Sequence, residues 1–172
     1  MKRTAPQPIE EVEPTGSERI SHQSSTQPSP SFVFRLNKLD KSFPSISSVG
    51  SISFDDLVPL GSDITQCFLS TYEVDVEWLQ TYTSRVAGPV FLVHGSDAKF
   101  DTSTLKNVTV WKPHVPIQYG LHHGKIVLSW LYGGQVLRVA VSTANLIPID
   151  YLRKTQGIFL QDFFPKASIT TT

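Results

Sequence analysis

The sequence predicts an α/β layered fold built on a mixed β-sheet flanked by helices. Three observations carry that expectation. Strand-like runs alternate with helical ones in the order strand, helix, strand, strand, hairpin. Several of the strand runs, above all Val90-Phe91-Leu92-Val93, are apolar throughout, which suits central strands buried on both faces. The 172 residues, 40% hydrophobic and 10% aromatic, suffice for one domain with a sizeable core plus a tail.

Residues 1 to about 30 are rich in Pro, Ser, Thr, Gln and Glu and bury too little apolar area to offset ordering, so a disordered tail is expected there. Its Lys2-Arg3 pair is too short to serve as a nuclear address. Order is expected from Ser31-Phe32-Val33-Phe34-Arg35-Leu36, where apolar and polar residues begin to alternate. After a Ser-rich loop over 47–53, Ser53 is placed to cap a short helix from Phe54 to Leu60, stopped near Pro59 and Gly61. Ile64 to Tyr72 reads as a strand. Asp75 caps the next helix, in which Val76, Leu79 and Tyr82 share one side. Gly88-Pro89 breaks it, Val90–Val93 forms a strand that ends at His94-Gly95, and Asn107 to Trp111 forms another, closed by Lys112-Pro113.

Composition excludes several function classes. No apolar segment is long enough to span a bilayer, and Met1 to Pro6 lead into polar residues rather than a signal-peptide core, so neither secretion nor membrane insertion is expected. The single cysteine, Cys67, has no internal partner, and its neighbours Phe68 and Leu69 predict a buried, inert thiol in a reducing compartment. Fifteen basic and fifteen acidic residues leave no net charge, which argues against a broad electrostatic grip on nucleic acid. Any such contact is expected to be local.

Chemistry is concentrated in Tyr119-Gly120-Leu121-His122-His123-Gly124-Lys125. On an extended chain, residues two apart project to the same face, so His123 and Lys125 point together while His122 turns away. Gly124 leaves room between them. An imidazole beside an ammonium, joined by a carboxamide from a neighbouring strand, suits an anionic tetrahedral group, and phosphate fits best. Taken alone, a His-x-Lys triplet is more often an edge histidine beside a solvated lysine. No metal site and no cofactor are expected: His94 and His114 have no neighbour at ligand spacing, and His122 and His123 point to opposite sides.

Five separated segments add a resemblance. Val74-Asp75-Val76-Glu77-Trp78-Leu79, Phe91-Leu92-Val93-His94-Gly95, Gly120-Leu121-His122-His123-Gly124-Lys125, Ser142-Thr143-Ala144-Asn145-Leu146-Ile147 and Lys154-Thr155-Gln156-Gly157-Ile158-Phe159-Leu160 resemble, in order, the tyrosyl-DNA phosphodiesterases of the phospholipase D superfamily. The resemblance implies one phospholipase D-like lobe over 31–172, the N-terminal half of a catalytic unit. Members carry two His-x-Lys half-sites, and His123-Gly124-Lys125 is the only such triplet in this sequence, so a truncated chain is expected. The implied activity is phosphodiester hydrolysis at single-stranded or frayed DNA 3′ ends. It would remove a tyrosyl or other blocking adduct, such as a topoisomerase-derived tyrosyl peptide, during repair in the nucleus.

By the same resemblance, His123 attacks phosphorus to form a phosphohistidine, and Lys125 and Asn145 hold the non-bridging oxygens. Gln156 supports the catalytic histidines, although a strand residue pairing with backbone is an equal reading of it. Tyr119 matches an aromatic that stacks on a base, against the alternative of a packed core tyrosine. A non-catalytic half-domain and a homodimer that completes the site remain open beside the enzyme.

The hairpin Ile126–Tyr132 and Val136–Ser142 bears on this site through its register. A two-residue Gly133-Gly134 loop pairs Tyr132 with Gln135, sets His123 opposite Ala144 and disperses the site. A three-residue loop pairs Tyr132 with Val136 and sets Asn145 opposite His123. The odd-numbered loop, or an equivalent bulge, is the expectation, with His123, Lys125 and Asn145 on one surface.

Overall fold

The computed structural model describes residues 34–43, 50–97, 101–103 and 105–166. The expected disordered tail, 1–30, and the opening residues of the expected first strand lie outside the described residues, as do residues 47–49 of the Ser-rich loop. In chain order the elements are β1 (Phe34–Leu36), α1 (Phe54–Leu57), β2 (Gln66–Thr71), α2 (Val76–Thr83), β3 (Val90–His94), β4 (Val108–Trp111), β5 (Ile126–Leu131), β6 (Val136–Ser142), α3 (Pro148–Leu152) and β7 (Gly157–Phe163). The strands form one mixed sheet in the order β1-β7-β6-β5-β2-β3-β4. β2, β3 and β4 run parallel to one another, and every other neighbouring pair is antiparallel.

Local chemistry sets the helix boundaries. The Asp75 carboxylate accepts the Trp78 amide at 2.9 Å and starts α2. At α1 the Ser53 amide and hydroxyl both donate to Asp56, at 2.7 and 2.8 Å. α1 stops at Leu57 rather than at the predicted Leu60, because Val58 precedes Pro59, whose ring disfavours helical backbone in the residue before it. α3 and β7 carry no mark in the sequence reading. The signal for α3 was Pro148 in its first turn, a position that tolerates a missing amide.

All three helices pack on one face of the sheet. Leu57, Leu79 and Tyr151 are buried against Cys67, Leu69, Val90, Leu92, Val127, Leu131, Ala140 and Ile158, and each large aliphatic group buried there contributes about 1.5–3 kcal/mol. The Phe54 ring meets Trp78, Tyr82 and Tyr151 at 4.9, 4.6 and 4.9 Å, so one aromatic cluster ties α1, α2 and α3 together. Cys67 is buried in this core, and burial pushes its thiol up to about 12.

The opposite face corrects an expectation. Phe91 in β3 is 39% exposed, and Trp111 and Phe163 on the same face are 63% and 51% exposed. Alternation places Phe68, Leu128, Trp130 and Val139 on this face as well, all half-buried. Among the described residues no helix covers it, so β3 is open there at Phe91, although Val93 on the same face is buried.

The hairpin register is the second correction. Ile126 pairs with Val141 and Leu131 with Val136, which is the register of the shorter loop and not of the predicted odd-numbered one. Tyr132, Gly133 and Gly134 all take positive φ. The Tyr132 and Gly133 amides bond the carbonyls of Ser62 and Asp63, at 2.7 and 3.1 Å. The tip is therefore shaped by the neighbouring loop, which sequence counting within the hairpin leaves out.

Asn37 closes the sheet edge. Buried just after β1, it donates to the carbonyls of Tyr151 and Lys154 at 2.7 and 2.8 Å and accepts the Gln156 amide at 2.7 Å. It thereby satisfies carbonyls at the end of α3 that have no helical partner. Asn37→Ala leaves these groups unpaired and is expected to lower stability by about 2–4 kcal/mol. An unchanged urea midpoint would remove this role.

Candidate active site

The site lies at the carboxyl end of β2, where α/β sheets commonly place ligands. Thr71, the last residue of β2, is fully buried. Its hydroxyl donates to the Glu73 carbonyl at 2.7 Å and accepts the Leu146 amide at 3.1 Å. Glu73 and Asp75 extend the junction through backbone bonds to Leu146, at 3.1 and 2.9 Å. Residues 143–147 leave the β6 ladder after Ser142 and dock on the end of β2 in this way.

That docking, and not the hairpin register, fixes where Asn145 sits. Lys125 still pairs with Ser142, whose amide donates to the Lys125 carbonyl at 3.0 Å. Beyond that point the ladder stops, so the position of Asn145 is set by β2 and not by its partner across the hairpin.

Before β5 the chain is irregular but keeps its alternation. Lys125 is buried, and its Nζ lies 3.1 Å from Nδ1 and 3.3 Å from Nε2 of the exposed His123. The same ammonium donates to the His123 carbonyl at 3.1 Å. Burial lowers the Lys125 pKa, while the nearby carboxylates of Asp150 and Glu73 pull it back up. Its charge is thus lost at a lower pH than that of an exposed lysine. The Tyr72 ring stands 5.2 Å from the His123 ring and flanks it.

His122 turns the other way. Its Nε2 is 2.8 Å from Ser70 Oγ, and Ser70 donates its single hydroxyl proton to the Gly124 carbonyl at 3.0 Å. Both contacts are satisfied together only when His122 Nε2 carries a proton. Backbone fit supports this clamp: a Cβ on Gly95 would stand 2.0 Å from the His122 carbonyl oxygen, so only glycine permits the approach. Gly124 is less constrained, since a Cβ there would meet Ser70 Oγ at an ordinary 3.4 Å.

Asn145 is tied to Glu73 and Asp150, whose charges act on Lys125. Its Oδ1 accepts the Glu73 amide at 3.3 Å, and its Nδ2 donates to Asp150 at 3.0 Å. Gln156 lies farther along: its side-chain oxygen takes the Thr143 hydroxyl, and its backbone pairs with Asn37, so its bonds are not made to His123. Tyr119 is 91% exposed with φ of +61°, which removes the packed-core reading. A tyrosine held in the left-handed region is a strained outlier of the kind that clusters at working sites. Beside His122 a cavity of about 360 Å³ is lined by Gly95, Asp97, Lys112, His114 and Gly120. Among the described residues no three His, Cys, Asp or Glu side chains gather to hold a metal ion.

Sequence reasoning missed Ser70, Tyr72, Glu73 and Asp150. The available signal for the first three was their place at the end of a strand that precedes a capped helix. Asp150 was legible only as an acid in the first turn after Pro148.

Comparison with known proteins fits the arrangement to a family. The family model for tyrosyl-DNA phosphodiesterase matches residues 33–172, which include every site residue described above. The chain belongs to this family. Tyrosyl-DNA phosphodiesterase 1 of Arabidopsis thaliana is 34% identical over 137 residues, which cover 76% of this chain and 22% of the relative. The crystal structure of the yeast tyrosyl-DNA phosphodiesterase is similar with a TM-score of 0.60 at 14% identity, covering 75% of this chain and 32% of that one. Its H432R mutant gives the same score at 16% identity. The fold is thus that of the phospholipase D superfamily. This chain spans under a third of the length of these relatives.

The clamp yields a test within this tyrosyl-DNA phosphodiesterase segment. In its neutral form His122 is expected as the Nε2–H tautomer, detected by nitrogen chemical shifts of the ring, and Ser70→Ala is expected to release that preference. A dominant Nδ1–H tautomer in the unmodified chain would contradict the assignment.

Proposed function

We propose that this chain carries one half-site of a phosphodiesterase that acts on DNA 3′ ends in repair, removing tyrosyl or similar adducts. The carrying observation is the Lys125 ammonium held 3.1 Å from His123 at the strand end where Asn145 is also anchored. Family membership supports phosphodiester chemistry of this kind. The substrate would be a single-stranded or frayed 3′ end joined to a tyrosyl peptide left by a topoisomerase, and the setting the nucleus.

The chemistry follows from the groups. A lone pair on His123 forms a bond to phosphorus, and the bond from phosphorus to the tyrosyl oxygen breaks, leaving its electrons on that oxygen. Negative charge grows on the non-bridging oxygens, where Lys125 and Asn145 donate hydrogen bonds that strengthen in the transition state. The tyrosyl oxygen then takes up a proton from an acid or from solvent. A phenol titrates near pH ~10, so a phenolate leaves far more readily than a sugar alkoxide. Water later attacks phosphorus and gives up a proton to solvent, while the bond from phosphorus to His123 breaks and returns its electrons to the imidazole. Tyr119, exposed at the rim, would stack on the terminal base, a contact worth about 1–3 kcal/mol. Gln156 would act through Thr143, whose hydroxyl it receives, by steadying the turn that carries Asn145.

A second reading rests on a separate observation. Phe91, Trp111 and Phe163 are exposed on one sheet face, which supports a half-domain completed by further polypeptide or a second copy. Gel filtration showing only monomer would remove the homodimer form of it.

One incubation separates the readings. With an oligonucleotide bearing a 3′-phosphotyrosine, the chain is expected to accumulate an acid-labile adduct on His123, because no second histidine half-site is present to speed its hydrolysis. His123→Ala should abolish it. An adduct mapped elsewhere would refute the nucleophile, and none at all would leave the non-catalytic half-domain.

A further inference from the structure

Asp150 is a buried carboxylate that neither the motif nor the proposed chemistry uses. It sits in the first turn of α3, 3% exposed, and its two oxygens are divided between two tasks. Oδ1 receives the Lys154 ammonium at 2.7 Å. Oδ2 receives both the backbone amide and the side-chain Nδ2 of Asn145, at 2.9 and 3.0 Å. On the other side of the carboxamide, Asn145 Oδ1 accepts the Glu73 amide.

These contacts allow one orientation of the amide. Rotating the Asn145 group by half a turn would set its oxygen against the Asp150 carboxylate and its NH2 against the Glu73 N–H, two repulsive contacts in place of two hydrogen bonds. In the allowed orientation one Nδ2 proton is held by Asp150. Among the described residues the other has no acceptor, which leaves it for an incoming oxygen.

We propose that Asp150 is a positioning residue, which locks the Asn145 carboxamide so that its second N–H is presented to the phosphate oxygen shared with Lys125. This inference rests on the phosphate-site reading above. Lys154 is the counter-ion that lets the carboxylate stay buried and ionised, and it approaches the oxygen that Asn145 does not use. The amide hydrogen bonds and the paired lysine hold the carboxyl pKa below the usual range against burial, so the lock is present at neutral pH. The Asp150 charge also helps keep Lys125 protonated against its own burial.

The test uses the chain itself with inorganic phosphate as probe and the Asn145 side-chain NH2 resonances as reporter. In the unmodified chain the two Nδ2 protons should differ: the one bonded to Asp150 exchanges slowly, and the other shifts on phosphate addition. Asp150→Asn keeps the size of the group but removes the charge, and is expected to collapse that difference and to weaken phosphate binding about tenfold. Asn145→Ala should weaken it by a similar factor, and the double variant no further than either single one, because both act through the same hydrogen bond.

Independent losses that multiply in the double variant would overturn the proposal, as would a folded Asp150→Asn chain with unchanged NH2 signals. A native-like dispersion of the other amide resonances guards against simple unfolding. If the unmodified chain binds no phosphate, the phosphate-site reading fails, and the exchange difference between the two Nδ2 protons still decides whether Asp150 holds Asn145.

Discussion

The site depends on one hydroxyl. Thr71 ends β2 in full burial, where a hydroxyl without partners would cost about 1–3 kcal/mol. It finds both, the Glu73 carbonyl and the Leu146 amide, and so binds the exit of the central strand to a loop from the far side of the β5–β6 hairpin. Its own carbonyl accepts the Gly95 amide at the end of β3. Three chain segments distant in sequence therefore meet at one residue. Glu73, Asn145 and the His122 backbone all take their places from that junction.

This dependence explains what could and could not be read from the sequence. Asp75 as a cap, Val90–Val93 as a strand and the paired projection of His123 and Lys125 are local consequences of spacing, and local rules suffice for them. The placement of Asn145 is not local. Counting across the hairpin made register decisive, yet β6 gives up its ladder at Ser142 and the next residues answer to Thr71. Neither bond of the Thr71 hydroxyl has a signature in sequence, since a threonine at a strand end is ordinary. Asp150 and Tyr72 were hidden for the same reason: their partners are close in space and unrelated by periodicity.

The apolar runs misled in a different way. A strand such as Val90–Val93 reads as buried on both faces because apolar side chains alternate with apolar side chains. Composition reports which faces are suited to burial, and the described residues supply helices to only one of them. Phe68, Leu128 and Val139 are half-buried by one another, and Phe91, Trp111 and Phe163 stand more open at the edges. The sequence thus marks as apolar a face that the helices of the described residues leave open.

Electrostatics at the site follow from the neutral charge balance of the chain. With as many acids as bases, and with Asp150 and Glu73 near Lys125, a diffuse positive field is not what would draw a phosphate. Instead, the negative charge of Asp150 is spent inwardly: one oxygen faces Lys154, the other the two N–H groups of Asn145. Glu73 contributes its backbone amide to the same carboxamide. The donors left at the site are the Lys125 ammonium, which contacts the His123 ring, and, on the proposal above, one amide proton of Asn145. Directed donors of this kind are weak attractors at a distance and effective at contact, where solvent is displaced and their orientation is already set. Such a site would be selective for charge that develops on particular oxygens rather than for polyanions in general, and its affinity would depend on salt far less than that of a basic groove.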